Sequence, residues 1–191
     1  MALILVSGIV ASAQKHPSKC GNWRWDVKTL TDPDGLGLLT KVPTVSTIDE
    51  LVAVIPPKIL HAGNKTDGVV PRFTNEKMVV EIIAFVTVVK RATDDSDLHF
   101  ILKPETSYLT IVGEIPDPNC ATFDKYPQIK GQFTTATQDG KAIWNVLKQT
   151  KKPVKVKVAG ISFWDGIYDT RPKGVSQYSR EIHPIIKIEK L

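Results

Sequence analysis

From Lys77 to Pro118 apolar and polar residues alternate in three blocks. In the first block Met78, Val80, Ile82, Ala84, Val86 and Val88 share one face, and Glu81, Thr87 and Arg91 share the other. A period of two is that of a strand with one buried side. A strand of this length must coil to serve both sides of a barrel. Asp94-Asp95-Ser96-Asp97 then marks an acidic turn. The second block points Leu98, Phe100 and Leu102 inward and Asp97, His99 and Ile101 outward; the third sets Leu109, Ile111 and Ile115 against Thr110, Val112 and Glu114. Pro116-Asp117-Pro118 ends it.

Beyond Asn119 the chain reads as irregular as far as Asp139. Lys141–Lys151 predicts a helix with Ile143, Trp144 and Leu147 on one face and lysines at its C-terminal end, where they suit the dipole. Pro153 stops it. Val154–Phe163 predicts a fourth strand, Val154, Val156 and Val158 facing in and Lys155 and Lys157 facing out, with Gly160 as a bulge or corner. After a long loop, Glu181–Glu189 predicts a fifth strand in which Ile182, Pro184, Ile186 and Ile188 alternate with Glu181, His183, Lys187 and Glu189.

Upstream of the barrel, Trp23, Trp25 and Val27 alternate with polar neighbours and predict a half-buried strand. Asp32-Pro33-Asp34-Gly35 predicts a turn. Thr47 and Glu50 have the spacing of a capping box that opens a short helix, closed by Pro56-Pro57. Asn64-Lys65-Thr66 matches a glycosylation sequon.

Three strands, a helix and two further strands make the order of an OB barrel. The expected fold is therefore mostly β with short helices: an OB-like five-stranded barrel over residues 77–191 with an N-terminal extension, residues 14–76, packed on it. Residues 1–13 form a separate leader. Its apolar run Ala2–Val10 followed by Ala11-Ser12-Ala13 reads as an export signal and is too short to span a bilayer, although no Lys or Arg precedes it. The alternative is a buried N-terminal strand. Export places the protein outside the cytoplasm, secreted or periplasmic, with no transmembrane segment in the mature chain.

Export gives the two cysteines their meaning. An even count in an oxidising compartment points to a Cys20–Cys120 bridge, the alternative being two separate buried thiols. Two cysteines alone do not make a zinc site. The 191 residues suffice for a core without further staples, and the net charge of +5 permits anionic partners without requiring them.

Several motifs together carry a resemblance. They are Cys20-Gly21 with Trp25-x-Val27-Lys28-Thr29; Asp94-Asp95-Ser96-Asp97-x-His99; Glu114-Ile115-Pro116-Asp117-Pro118-x-Cys120; Phe163-x-Asp165; and Glu181-x-His183-Pro184. In combination these resemble a family of small exported bacterial proteins, over most of the chain after the leader. The resemblance implies an extracytoplasmic location and a disulfide, and implies no chemistry. Its members often carry His-Gly before the last strand, where Tyr168-Asp169 stands here.

The polar set that bears on function is Asp94, Asp95, Asp97, His99, Glu114, Asp117, Glu181 and His183. By alternation Asp97, His99, Glu114 and His183 leave the barrel on its outer side. Two imidazoles among carboxylates suit a divalent metal or an acid–base pair, and these four are the candidate catalytic residues of a metal-assisted hydrolase or nuclease. The structural alternative is a set of Asp–His hydrogen bonds that fix a turn. The acidic turn lacks the spacing of a calcium loop. No nucleophile elbow, phosphate loop, dinucleotide fingerprint or zincin motif is present, so no cofactor and no metal is specified by motif.

Lys148, Lys151, Lys152, Lys155 and Lys157, with Arg171, Lys173 and Arg180, form a basic set near Phe163, Trp164, Tyr168 and Tyr178. Single-stranded nucleic acid or a polyanion would use such groups. Asp97, Glu114 and Glu181 on the same side repel phosphates, and the lysines also fit an edge strand guarded against aggregation. The reading the residues favour is thus a non-enzymatic exported binding domain. Its unidentified small ligand or protein partner would lie on the outer barrel face, with Phe163, Trp164 and Tyr168 in contact.

Overall fold

The computed structural model describes residues 19–21, 23–57, 70–166, 176 and 178–191. The leader, the sequon at Asn64, and Tyr168, Arg171 and Lys173 lie outside the described residues. Six strands form one sheet: β1 (Thr44–Val45), β2 (Val79–Arg91), β3 (Leu98–Lys103), β4 (Ile111–Ile115), β5 (Val154–Trp164) and β6 (Arg180–Lys190). Their order is β1-β2-β3-β4-β6-β5, and β5 pairs back onto β2, closing a barrel of five strands with β1 added in parallel to β2. The β4–β6 contact is parallel and the other barrel contacts are antiparallel. This is the predicted OB-like arrangement.

The core follows the alternation. Val80, Ile82, Ala84 and Val86 of β2, Leu98, Phe100 and Leu102 of β3, and Val154, Val156 and Val158 of β5 fill the interior. Helix α4 spans Pro127–Thr150. It begins within the stretch read as irregular, with a proline at its first turn where no backbone N–H is required. Apolar residues at Ile129, Phe133, Ala136 and Ile143 keep a helical spacing through the polar run that hid it. At Gly140 the helix touches the barrel end: a Cβ there would stand 2.8 Å from the Phe100 ring.

Three sequence expectations are corrected. Trp25–Lys28 is a short helix, α1, not a strand, and Trp25 instead donates its indole N–H to the Thr122 hydroxyl at 3.1 Å. The strand β5 is not an edge: it pairs on both sides, and Lys155 and Lys157 reach Glu105 (3.1 Å) and Glu189 (3.3 Å). The alternation predicted for the last strand breaks midway. Register shifts against β5 at Gly160 put extra residues into β6, so Ile182, Ile185 and Ile188 reach the main core while Ile186 joins a second cluster. The bulge expected at Gly160 is present.

That second cluster packs Leu30, Phe123, Phe133, Ile161 and Ile186 beneath the N-terminal extension. Two further short helices, α2 (Gly35–Leu38) and α3 (Ile48–Ala53), belong to the extension. The capping box is formed, Thr47 Oγ1 accepting from the Glu50 N–H and the Glu50 carboxylate accepting from the Thr47 N–H. Cys20 and Cys120 are bridged with Cα atoms 5.7 Å apart, tying the segment before α1 to the turn after β4. Among the described residues no helix is long and apolar enough to cross a membrane.

Candidate metal centre

The register brings the polar set together. On the antiparallel β3–β4 ladder His99 is the direct partner of Glu114. On the parallel β4–β6 ladder Val112 faces Glu181 and Gly113 faces Ile182, which brings His183 beside Glu114. His99 and His183, on strands that are not direct partners, are therefore bridged by one carboxylate. His99 Nδ1 lies 2.6 Å from Glu114 Oε1, and His183 Nδ1 lies 2.9 Å from Glu114 Oε2. The turn before β3 places Asp97 Oδ2 3.3 Å from His183 Nε2, and Glu181 Oε2 is 3.7 Å from Nδ1.

Local bonds fix these groups. The Asp97 N–H donates to Asp95 Oδ1, and Asp97 Oδ1 accepts from the Asp117 N–H, which locks the turn. Arg91 holds Asp117 at 2.7 Å and the Ser96 carbonyl at 2.6 Å. Phe163 packs its ring 5.5 Å from the His183 ring.

The predicted face is right and its exposure is corrected. These side chains do leave the barrel opposite Phe100, yet Asp97, Glu114, Glu181 and His183 are buried. Helix α1 contributes the buried Lys28, on which the charges of Glu114 and Glu181 act. The Lys28 ammonium lies 3.6 Å from Asp165 and 5.5 Å from the centre of the Phe163 ring, which packs on His183. The open side is the rim at His99 and Glu114, whose side chains are 13% and 10% exposed. Phe163 and Trp164 are buried, and Arg180 lies over the Trp164 ring, so neither presents a ring face for a base to stack on.

Desolvation and mutual repulsion set the protonation. Burial raises the Asp97 pKa to about 6 against the pull of His183, and burial with the Glu114 charge raises Glu181 to about 7. Burial opposes charge on His183 as well, but Asp97, Glu114 and Glu181 outweigh it and hold the imidazole well above its ordinary range. Glu114 shows the reverse balance: burial resists its charge, while His183, His99 and Lys28 keep it well below the usual carboxylate range. Without another cation, the cluster carries its charge by holding protons.

Asp97, Glu114 and His183 each present one ligand atom, and these atoms lie within 4.8 Å of one another. Both ring nitrogens of His183, Asp97 Oδ2 and Glu181 Oε2 lack a hydrogen-bond partner. The carboxylate oxygens are close to the imidazole but do not meet it with hydrogen-bond geometry. A centre of one imidazole and several carboxylates suits a divalent ion of borderline hardness.

No known protein family, curated protein or solved structure matches the chain. Sequence reasoning found Asp97, His99, Glu114 and His183, and the fold joins all four. It missed Lys28, which was placed on a strand and carries no local signal of burial. It set Glu181 outside the chosen four, although its place two residues before His183 on one strand puts both on one face.

Proposed function

We propose that this protein is an exported barrel that binds a divalent cation through Asp97, Glu114 and His183, with Glu181 beside them, and uses it in metal-assisted hydrolysis. The observation that carries the reading is a buried convergence of ligand atoms from Asp97, Glu114 and His183, with Asp97 Oδ2, Glu181 Oε2 and the imidazole nitrogens making no hydrogen bond. A buried polar atom without a partner costs about 1–3 kcal/mol, and one cation satisfies several at once. With His183 neutral, as a ligand must be, the charges of Asp97, Glu114 and Glu181 are offset by one divalent ion and Lys28. The disulfide supports an oxidising compartment.

A cation held by Asp97, Glu114 and His183 would supply a Lewis acid for an ester or phosphoryl oxygen and a water of lowered pKa. His99, bonded to Glu114 and partly exposed at the rim, would carry a proton between that water and solvent; the His99–Glu114 contact supports this role. Two other readings have less support. A ligand on the outer barrel face would find Asp97, Glu114, Glu181, His183 and Phe163 already buried. A single-stranded nucleic acid would lack the rings of Phe163 and Trp164, and Lys155 and Lys157 are already paired.

The test is elemental analysis of protein purified without chelator, with hydrolysis of a simple phosphodiester and a simple carboxylic ester measured alongside. The reading expects stoichiometric metal in wild type, its loss in H183A, and metal-dependent turnover of one substrate. Metal binding without turnover of either ester would leave a cation-binding protein and remove the hydrolase. Absence of metal under all loading conditions would remove both.

A further inference from the structure

The first residue of β6 opens a second polar site. Arg180 is buried, and its guanidinium lies 3.8 Å from the Trp164 ring, across the β5–β6 ladder. Its Nη2 donates one long bond, 3.4 Å, to the Asn75 carbonyl, while Nε and Nη1 have no partner. The indole N–H of Trp164 has none either. Ser176 fixes the turn that aims the arginine: its Oγ accepts from the Arg180 N–H at 2.6 Å and donates to the Arg180 carbonyl.

The carboxylate whose charge acts on Arg180 is Glu76, and it is fully engaged elsewhere. Arg24 grips both of its oxygens; Oε1 also accepts from the Trp164 N–H and Oε2 from the Phe73 N–H. Two guanidiniums thus share one carboxylate in a buried region. Burial draws the Arg180 pKa down to about 10. Removing one partner of a buried charge is among the costliest arrangements a fold can hold, and a guanidinium is satisfied best by a forked oxyanion.

Around His183 the orphan atoms mix carboxylate oxygens with imidazole nitrogens; at the Arg180–Trp164 stack the orphans, Arg180 Nε and Nη1 and the Trp164 indole N–H, are all donors. A donor-only site takes an anion. We infer that Arg180 and Trp164 bind a phosphate-like oxyanion, either free or as the anionic group of a larger ligand. Arg180 and Glu181 leave opposite faces of β6, so this site is separate from the cation centre and does not depend on it.

Inorganic phosphate titrated into the intact protein at constant ionic strength tests the inference, by calorimetry and by tryptophan emission. Wild type should bind phosphate saturably and with a change in emission. R180K keeps the charge but loses the fork, and should bind at least about tenfold more weakly, the loss of one or two charge-assisted hydrogen bonds. W164F keeps the guanidinium and a ring beneath it, and should weaken binding several-fold through the lost indole N–H. Manganese binding at the other site should be unchanged in both variants. A parallel titration with phosphoserine separates the sources: tighter binding than phosphate assigns the group to a larger ligand, equal binding assigns the free ion. No saturable phosphate binding in wild type, or equal affinity in wild type and R180K, would overturn the inference.

Discussion

Replacement of Lys28 by Met removes a buried ammonium on which the charges of Glu114 and Glu181 act, while keeping most of the side chain's volume. Lys28 Nζ is 3.6 Å from Asp165 Oδ1, and both groups are largely withdrawn from water. At an effective dielectric of about 20 that contact alone is worth roughly 4–5 kcal/mol, before the cost of desolvating the pair is subtracted. Breaking one side of a buried pair typically costs about 3–5 kcal/mol, and here the charges of Glu114 and Glu181 also lose the ammonium that acts on them. Burial opposes the charge on Lys28, but Asp165, Glu114 and Glu181 prevail and lift its pKa above the ordinary lysine range. The raised value gives a clear sign: the stabilisation is complete below the ordinary lysine pKa and is lost only as pH rises through the higher folded value. K28M should therefore lose about 3–5 kcal/mol at any neutral pH, read as a lower urea midpoint with unchanged slope. Saturating manganese should recover more stability in K28M than in wild type, because the ion replaces a missing positive charge. A variant as stable as wild type, or one that manganese does not rescue preferentially, would refute the role given to Lys28.

The protonation pattern and the bridge give two further expectations. Asp97 and Glu181 have folded pKa values raised to about 6 and about 7 from 3.8 and 4.5, so the folded chain binds more protons than the unfolded chain between those values. His183, also raised, adds stability that is lost as pH climbs past its ordinary value of 6.5. Metal-free protein should thus become less stable as pH rises from about 4.5 to 7, and thermal melts in chelator that show a rise instead would contradict this; saturating metal should flatten or invert the slope. Reducing the Cys20–Cys120 bridge, which spans 100 residues, should cost about 4–5 kcal/mol in the chain-entropy account. Equal urea midpoints for wild type and the C20S/C120S double variant would show that the bridge does not stabilise the fold.

The barrel was legible because its strands bury one face each. Val80, Ile82 and Ala84, or Leu98, Phe100 and Leu102, can face only a core, and that choice sends Asp97 and His99 to the other side. The burial of that other side was not legible. It depends on side chains brought from far away in sequence, such as Lys28 of α1, on a segment tied to the barrel at Cys20–Cys120. Local alternation misled at Trp23, Trp25 and Val27, where four residues of helix satisfy the same apolar spacing as a strand. It misled again at Ile186, because the register shifts opposite Gly160 are set by packing: a Cβ on that glycine would meet Ile182 and stand 2.6 Å from the Pro184 carbonyl. The buried Arg180 carried only its charge as a signal, and charge suggested solvent.

The most direct test of the central claim is calorimetric titration of chelator-stripped protein with Mn2+ and Zn2+ near neutral pH, for wild type, D97N and H183Q. The account predicts one saturable site per chain in wild type, with release of protons to the buffer as Asp97, Glu181 and His183 give theirs up. It also predicts loss of that site in both variants while their circular dichroism remains native. Folded wild-type protein that takes up neither ion, or variants that bind as tightly as wild type, would contradict it.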